Sequence, residues 1–190
     1  MKIVRIIVDP KPTLYAIRFS DSENNEFDRN FGLWSDPEYL RNFFEEHSGD
    51  LRSYNHFPRK EYSIGDAVRK TFRDAENLEN RLLDIAEAED EDEYKVLQTL
   101  FRPLNDMETG LYPLQKSKGK LKYHSWLRIY ALRVDSDLYV MTGGTIKLTK
   151  KMQERSHTQK EIDKMKRVIP FLRKHNLINE AEFKRLELGL

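Results

Sequence analysis

The chain has 190 residues, with 33 Lys and Arg, 32 Asp and Glu, and a formal net charge of +1 at neutral pH. This length favours one domain with a single sizeable core over two domains. The absence of cysteine excludes disulfides, thiolate nucleophiles and cysteine-ligated zinc. No apolar run approaches the roughly 20 residues that cross a bilayer, and the N-terminus lacks the apolar stretch of a signal peptide. We therefore expect a soluble, cytoplasmic protein with no membrane partner.

The small net charge hides an electrostatic difference between the two halves of the chain. Residues 1–109 carry 15 Lys and Arg against 24 Asp and Glu, a net charge of −9, while residues 110–190 carry 18 against 8, a net charge of +10. Such asymmetry indicates that the basic half meets an anionic partner, or that the two halves neutralise each other across an internal interface. Charge alone only slightly favours the anionic partner.

The N-terminal third predicts two strands and one helix. Residues 2–8 and 14–19 are β-rich runs separated by a turn with two prolines, which indicates a hairpin or two edge strands. Residues 20–29 are polar and predict a loop or a short extended piece. A capping pattern at residues 35–38 then predicts a helix to about His47, followed by a loop to residue 62.

Two antiparallel helices are predicted next. The first begins with a capping pattern at Ser63, and its apolar residues repeat at helical spacing. These are Ile64, Val68, Phe72, Ala75, Leu78, Leu82 and Ile85. An acidic run at residues 87–93 is interpreted as a solvated turn, because it lacks the ligand spacing of a calcium loop. The second helix carries Leu97 and ends before Pro103.

Beyond Gly110 the apolar spacing changes to that of strands. Residues 126–134 alternate, which predicts a strand with Leu127, Ile129 and Ala131 toward the core and with Arg128 and Tyr130 on the other, open face.

The rest of the basic half continues the pattern. A turn leads to a return strand at residues 138–148, where Gly143-Gly144 indicates a bulge or a close backbone approach. A helix capped at Thr158 follows, with Pro170 expected to kink or end it, and a short terminal helix begins near residue 179. The pattern of residues 111–174 thus predicts a basic module, a β-hairpin followed by a helix, that faces a polyanion. RNA is the polyanion that we expect.

Several short motifs in this order resemble the RelE/ParE superfamily of bacterial toxins, and its HigB-like, phage-associated branch in particular. The motifs are residues 100–104 (LFRPL), 110–114 (GLYPL), 126–130 (WLRIY) and 144–151 (GTIKLTKK). The resemblance implies an α+β fold in which a two-helix hairpin packs on a small curved antiparallel sheet. Residues 1–62 would then be an N-terminal extension of a hairpin plus a helix, and residues 63–190 the toxin-like domain with C-terminal helices, together forming one compact unit.

The resemblance also implies a function. RelE- and HigB-type toxins cut messenger RNA on the ribosome, without a metal or cofactor, by moving the RNA's own 2′-hydroxyl onto the adjacent phosphate. This reaction requires positive charge near the phosphorane and a base for the hydroxyl. The residues expected to contribute to catalysis are Lys118, Arg128, Tyr130, Lys150 and His157. Those expected to bind the nucleic acid are Lys116, Lys120, Lys122, Lys147 and Lys151.

Three functions stay open on the sequence. The first is a ribosome-associated mRNA endonuclease neutralised by a small antitoxin protein, and the second is a toxin with another target, as ParE-type members bind DNA gyrase. The third is a noncatalytic interaction module in which the acidic half docks a basic partner. Each candidate residue also has a structural interpretation, since Tyr130 fits a core aromatic and Arg128 fits an ion pair with the acidic half. No tyrosine follows Tyr139, and no histidine spacing indicates a metal site.

Overall fold

The computed structural model describes residues 1–7, 13–54, 61–87, 96–105, 112–135 and 138–188. The described residues form an α+β fold, a six-stranded mixed sheet with helices packed on both faces. The strands are β1 (Lys2–Arg5), β2 (Thr13–Arg18), β3 (Phe101–Pro103), β4 (Gln115–Gly119), β5 (Leu127–Asp135) and β6 (Leu138–Ile146). The helices are α1 (Glu26–Trp34), α2 (Pro37–Glu46), α3 (Ser48–Ser53), α4 (Ile64–Glu87), α5 (Val96–Leu100), α6 (Ser156–Lys174) and α7 (Glu180–Leu188). None of the described helices is long and apolar enough to cross a membrane.

The sheet joins the first residues of the chain to its basic half. The strand order is β1-β2-β6-β5-β4-β3, and β2 pairs with β6 in parallel, whereas the other neighbours are antiparallel. The α+β class is as predicted, but the expectation of an antiparallel sheet is wrong at β2. The chain leaves β2, passes through five helices and three strands, and returns to pair beside it in the same direction. The alternation of apolar and polar residues along one strand cannot show which distant strand it pairs with.

Helix α1 occupies a segment for which a loop was predicted. Asn25 caps this helix, and its side-chain oxygen accepts hydrogen bonds from the backbone N–H groups of Phe27 and Asp28. Phe27, Phe31 and Trp34 then lie on one buried face. The polar residues before the cap concealed this face, and the loop prediction for residues 26–29 is wrong.

The predictions of helices at α2 and α4 are confirmed, whereas the loop predicted at α3 is wrong. Helix α2 begins after Asp36, whose side chain caps it, and ends at Glu46 as expected. Ser48–Ser53 form the short helix α3 where a loop was predicted. Helix α4 spans Ile64–Glu87, and its predicted apolar stripe packs into one core cluster.

The second helix of the predicted pair is shorter than expected. Helix α5 covers only Val96–Leu100, and Phe101 already belongs to β3, ahead of Pro103. Residues 88–95, which include most of the acidic run, lie outside the described residues.

Each face of the central sheet packs against its own layer of helices. On one face Leu127, Ile129 and Ala131 contact the core formed with α1, α2 and α4. On the opposite face Tyr130 and Leu132 are buried with residues of α6 and α7. The predicted open face of β5 is therefore wrong at Tyr130, because α6 covers it. A strand buried on both sides loses the polar alternation that marks a solvent face.

The prediction for Gly143 and Gly144 of β6, a bulge or a close backbone approach, is confirmed. Tyr130 pairs with Gly143 and Ala131 pairs with Met141, so Thr142 is the extra residue of a β-bulge. A Cβ atom built on Gly144 would lie 2.9 Å from the Trp34 ring, and one built on Gly143 would overlap Glu161 Oε2. The glycines thus allow α1 and α6 to approach β6 closely.

Helix α6 continues past its proline. Pro170 was expected to kink or end the helix, yet α6 runs on to Lys174. Pro170 is exposed, as is Lys166 one turn earlier, so the carbonyl that loses its helical partner lies on the water-facing side. After this helix, Asn179 accepts a hydrogen bond from the backbone N–H of Glu182 and caps α7, as predicted.

Candidate functional site

Three of the predicted cations lie together at one end of the sheet, and we call Lys118, Arg128 and Lys147 the cationic cluster. Lys118 pairs with Tyr130 across β4 and β5, and Arg128 is two residues before Tyr130, on the same face. The backbone N–H of Lys147 donates to the Trp126 carbonyl at 2.8 Å, which continues the pairing of β6 with β5. Burial is the main cause of the lowered pKa of Lys147; the charge of Arg128 lowers it further, Glu154 raises it, and Lys118 has a smaller lowering effect. The charges of Arg128 and Lys118 therefore both act on Lys147.

Backbone carbonyls hold the charged groups of Arg128 and Lys147. Arg128 Nη1 donates to the carbonyls of Ser125 and Leu127, both at 2.6 Å. Lys147 Nζ donates to the carbonyls of Thr149 at 2.7 Å and Lys150 at 2.5 Å. Neither Arg128 nor Lys147 forms an ion pair within the part of the chain that the structure describes. The ion pair between Arg128 and an acid of residues 1–109, which was the structural interpretation of Arg128, is therefore not found among the described residues.

The remaining predicted lysines divide into two groups. Lys116 lies on β4 on the same face as Lys118, and the exposed residues Lys150 and Lys151 follow β6, close in sequence to Lys147. In contrast, Lys120 and Lys122 line a groove beside α4. Arg102, which was not among the predicted site residues, pairs with Lys118 across β3 and β4 and adds another exposed cation.

Tyr130 is not available as a catalytic group in this fold. Its side chain is 1% exposed and belongs to the core beneath α6. Burial raises the pKa of its hydroxyl, so the phenol stays neutral. The expected catalytic role of Tyr130 is corrected to a core role.

His157 faces a different neighbourhood from the cationic cluster. Its Nε2 lies 3.1 Å from the Ile146 carbonyl, and since a carbonyl only accepts, Nε2 carries the hydrogen. The ring packs against Phe43 at 5.2 Å and His47 at 4.6 Å between centroids. Burial and the neighbouring His47 lower the pKa of His157. A half-buried imidazole results whose charged form is disfavoured, and its Nδ1 has no hydrogen-bond partner among the described residues.

A second polar site lies between α1 and α6, and we call it the α1–α6 cleft. Its volume is about 390 Å³. Charged groups from both helices meet there: Lys164 Nζ lies 2.8 Å from Glu26 Oε2 and 2.9 Å from Glu161 Oε1. On α1, Arg29 Nη2 lies 2.9 Å from Glu26 Oε2. The cleft thus joins two carboxyl groups and two cations in one network.

Glu161 is the most perturbed group in the cleft. The residue is 5% exposed, and its Oε2 has no hydrogen-bond partner among the described residues. Burial raises the pKa of this carboxyl to about 7, although Lys164 acts in the opposite direction. A buried carboxyl with a strongly shifted pKa in a cleft is a recognised feature of functional sites.

The motifs pointed to no residue of this network, although one signal was present in the sequence. Glu161 lies on the same helical stripe as Met165, Val168 and Leu172, which are buried. A charged residue on an apolar stripe indicates a buried charge that needs a partner. Its partner Glu26 could not be found in the same way, because its segment was predicted as a loop.

These two sites differ in the chemistry they offer. The cationic cluster offers positive charge to an anion, and the cleft contains a buried carboxyl with a raised pKa. Among the described residues, no group of three or more His, Asp or Glu is arranged to hold a metal ion. Comparison with models of protein families, with curated proteins and with solved structures finds no match to this chain, and its function has to be inferred from these two sites.

Proposed function

We propose that this chain is a toxin-like protein of a bacterial toxin–antitoxin system and that its cationic cluster binds RNA. The observation that carries the proposal is the convergence of Lys118, Arg128 and Lys147 on one face of the sheet, with no carboxylate bound to Arg128 or Lys147 in the described part of the chain. The resemblance of residues 64–172 to RelE/ParE toxins supplies the toxin-like role.

The electrostatics of the cluster favour a phosphate as its ligand. Burial is the largest cause of the lowered pKa of Lys147, and repulsion by Arg128 and, less strongly, by Lys118 adds to it, while Glu154 acts in the opposite direction. An anion between them would offset this repulsion, and a phosphate oxygen accepts strong hydrogen bonds from charged donors. Lys116 and Arg102 on the neighbouring strands extend the positive surface, so a chain of phosphates fits better than a single anion.

The cluster also contains the groups that strand cleavage requires. In the proposed reaction the 2′-oxygen attacks the adjacent phosphorus, the bond from phosphorus to the 5′-oxygen breaks, and the 5′-oxygen takes up a proton from water, giving a 2′,3′-cyclic phosphate and a 5′-hydroxyl. Lys147, whose pKa is lowered, accepts the 2′-hydroxyl proton, while Arg128 and Lys118 stabilise the charge of the phosphorane. Lys147 thereby takes the role of base, whereas its sequence pattern indicated binding alone.

Removing two charges from the cluster is expected to weaken RNA binding at physiological salt by about tenfold or more. The variant combines Arg128→Gln with Lys147→Gln, and fluorescence anisotropy with a labelled single-stranded RNA measures its affinity. The slope of log affinity against log salt should also fall, by about 0.7 for each lost phosphate contact.

A matched control removes one lysine and one arginine elsewhere. Lys166 and Arg185 are exposed and pair with acids on their own helices, at 3.1 Å from Asp163 and 3.2 Å from Glu182. Lys166→Gln with Arg185→Gln should leave the affinity within about twofold. Equal loss in both double variants would show nonspecific attraction and would contradict a site at the cluster.

Induced expression in a bacterial host is expected to stop growth and translation. Arg128→Gln should relieve the arrest at equal protein level, and cleaved transcripts should carry 2′,3′-cyclic phosphate ends. Normal growth at high expression of the folded wild-type protein would contradict the toxin role. If expression instead causes DNA damage linked to gyrase and no transcripts are cleaved, the target would be gyrase and not RNA.

A further inference from the structure

An exposed tyrosine, Tyr123, lies in the loop of residues 120–126 that joins β4 to β5. Almost half of this residue, 47%, is exposed to solvent. Lys118, near the end of β4, precedes the loop, and Arg128, near the start of β5, follows it. Tyr123 therefore lies at the same end of the sheet as the cationic cluster.

Contacts with α4 hold the ring of Tyr123 in place. Asn77 Nδ2 donates a hydrogen bond to the Tyr123 hydroxyl at 2.8 Å, and this hydroxyl donates to Asp74 Oδ1 at 3.4 Å. Lys70 Nζ lies over the ring, 5.6 Å from its centroid. Lys70 is itself buried and donates to Asp74 Oδ2 and to the His124 carbonyl, both at 2.7 Å. The ring thus has a fixed orientation, and a ligand would stack on the face opposite Lys70.

Two grooves lie along α4, before and after the point where Asn77 holds Tyr123. The first is lined by α4 residues up to Arg73 and has a volume of about 260 Å³, and we call it the Arg73 groove. The second is lined by α4 residues from Asn77 to Asp84 and by Tyr123, and has a volume of about 450 Å³. We call it the Arg81 groove. A long ligand that follows α4 would therefore cross the ring of Tyr123.

Cations lie in both grooves, on either side of the ring. Arg73 and Arg81 are one helical turn before and after Asn77, and Lys122 is the neighbour of Tyr123 in the chain. None of these three cations pairs with a carboxylate in the described part of the chain. Arg73 and Lys122 are also exposed. Cations outnumber acids in each groove: Arg69 and Arg73 against Asp66 in the first, and Arg81, Lys120 and Lys122 against Asp84 in the second.

An exposed ring between two cationic grooves suits a single-stranded nucleic acid. The phosphates of the strand meet the cations, and an unpaired base stacks on the aromatic ring. The bases of a double helix are already stacked on one another, so a duplex has no base to offer to Tyr123. An acidic protein segment would meet the cations but would have no use for the ring. The fixed ring thus favours a nucleic acid over an acidic protein.

We propose that α4 and the loop of residues 120–126 bind a single strand of RNA, with one base stacked on Tyr123 and phosphates on Arg73 and Lys122. This proposal deepens the proposed function and rests on it for the choice of RNA. It names an unpaired strand as the ligand and gives that strand a second contact beyond the cationic cluster. It also gives a role to Lys120 and Lys122, the two predicted lysines that lie away from the cluster.

Fluorescence anisotropy of the full chain with a labelled single-stranded RNA, and with the duplex of the same sequence, tests the stacking. Tyr123→Ala is expected to weaken binding of the single strand about tenfold and to leave the duplex within about twofold. Tyr123→Phe keeps the ring and should stay within about twofold of the wild type. Tyr112→Ala is the matched control, because Tyr112 is 46% exposed and precedes β4, at the other end of that strand from Tyr123. It should change neither affinity.

A second variant tests the phosphate contacts. Arg73→Gln with Lys122→Gln should weaken the single strand about tenfold and lower the slope of log affinity against log salt by about 1.4, which is about 0.7 for each contact. Because both residues are exposed, this variant keeps its fold even if Tyr123→Ala does not. Lys166→Gln with Arg185→Gln again removes two charges elsewhere and should stay within about twofold.

The outcomes separate this surface from the cationic cluster. If Tyr123→Ala weakens the single strand and Arg128→Gln with Lys147→Gln does not, the proposed RNA site at the cluster fails while the surface on α4 stands. If the cluster variant alone loses affinity, the surface on α4 is overturned and the cluster stands. Equal loss of single strand and duplex in Tyr123→Ala would also overturn the stacking. So would polyglutamate that binds the wild type and Tyr123→Ala equally and displaces the RNA, since an acidic protein segment would then be the ligand of the grooves.

Discussion

Replacement of Gly143 by alanine is expected to lower the free energy of unfolding by about 3 kcal/mol. The added Cβ would overlap Glu161 Oε2 and would lie 3.3 Å from Lys164 Cδ, a few tenths of an ångström tighter than an ordinary contact. Glu161 can avoid the new methyl group only by moving its carboxyl, which breaks the 2.9 Å contact with Lys164. Chemical denaturation of the wild type and the variant measures the loss.

Two comparisons test whether the clash between the new methyl group and Glu161 causes the loss of stability. In a Glu161→Ala background the contacted carboxyl is absent, so Gly143→Ala should cost less than about 1 kcal/mol. Gly32→Ala in α1 is the matched control, since a Cβ there meets nothing within 4 Å and alanine favours a helix interior. An equal cost of Gly143→Ala with and without Glu161 would contradict the close approach.

Elements with a strong local pattern were predictable from the sequence. Helix α4 has a regular apolar stripe that starts at a capping serine, and its prediction is confirmed over Ile64–Glu87. The bulge at Gly143-Gly144 is confirmed as well, because glycines inside a strand have few other uses. In both cases the information lies within neighbouring residues.

Features that depend on distant residues were not predictable. The parallel contact of β2 with β6 joins positions more than a hundred residues apart. The burial of Tyr130 depends on α6, a helix that comes after β6 in the chain and packs on the sheet over Tyr130. Helix α1 has its cap and its apolar face within one short segment, but the preceding polar residues resemble a loop.

The candidate site shows the same division. Strand alternation places Arg128 and Tyr130 on one face of β5, as the structure shows. Lys118 was expected only before and at the entry of the central strand, and its place on β4 beside Tyr130 was not predicted. Alternation gives no information about what covers that face, so Tyr130 became a false candidate.

His157 was expected just before a helix capped by Thr158, but α6 begins at Ser156 and includes both residues. Its contacts with Phe43 of α2 and with His47, the residue after α2, come from a distant part of the chain and were not predictable.

The two sites are close neighbours across β5 and β6. Thr145, which lines the cleft, pairs with Arg128 of the cationic cluster. Tyr130 lies near both, since it follows Arg128 by two residues on β5 and pairs with Gly143 of β6, against which Glu161 packs. An RNA strand bound at the cationic cluster would therefore lie close to the α1–α6 cleft, at about the distance between two paired residues on neighbouring strands.

The buried carboxyl of Glu161 is expected to make the fold less stable as the pH rises from about 4.5 to about 7. Its pKa is about 7 in the folded chain against 4.5 for an ordinary glutamate, because burial disfavours the ionised form. Between these values the unfolded chain releases the proton while the folded chain retains it, so the unfolded state gains stability. Above pH 7 both states are ionised and the loss is complete, amounting to about 3 kcal/mol.

A difference measurement isolates this effect from other titrating groups. The free energy of unfolding is measured from pH 4 to pH 8.5 for the wild type and for Glu161→Gln, which retains the shape but cannot ionise. The groups facing Glu161 are Lys164, Glu26 and Arg29, and all three are present in both proteins. The stability of the wild type relative to the variant should fall between pH 4.5 and 7 and then stay constant. A relative stability that rises with pH would mean that Lys164 holds the carboxyl ionised, and the cleft would then contain a stable ion pair and no shifted acid.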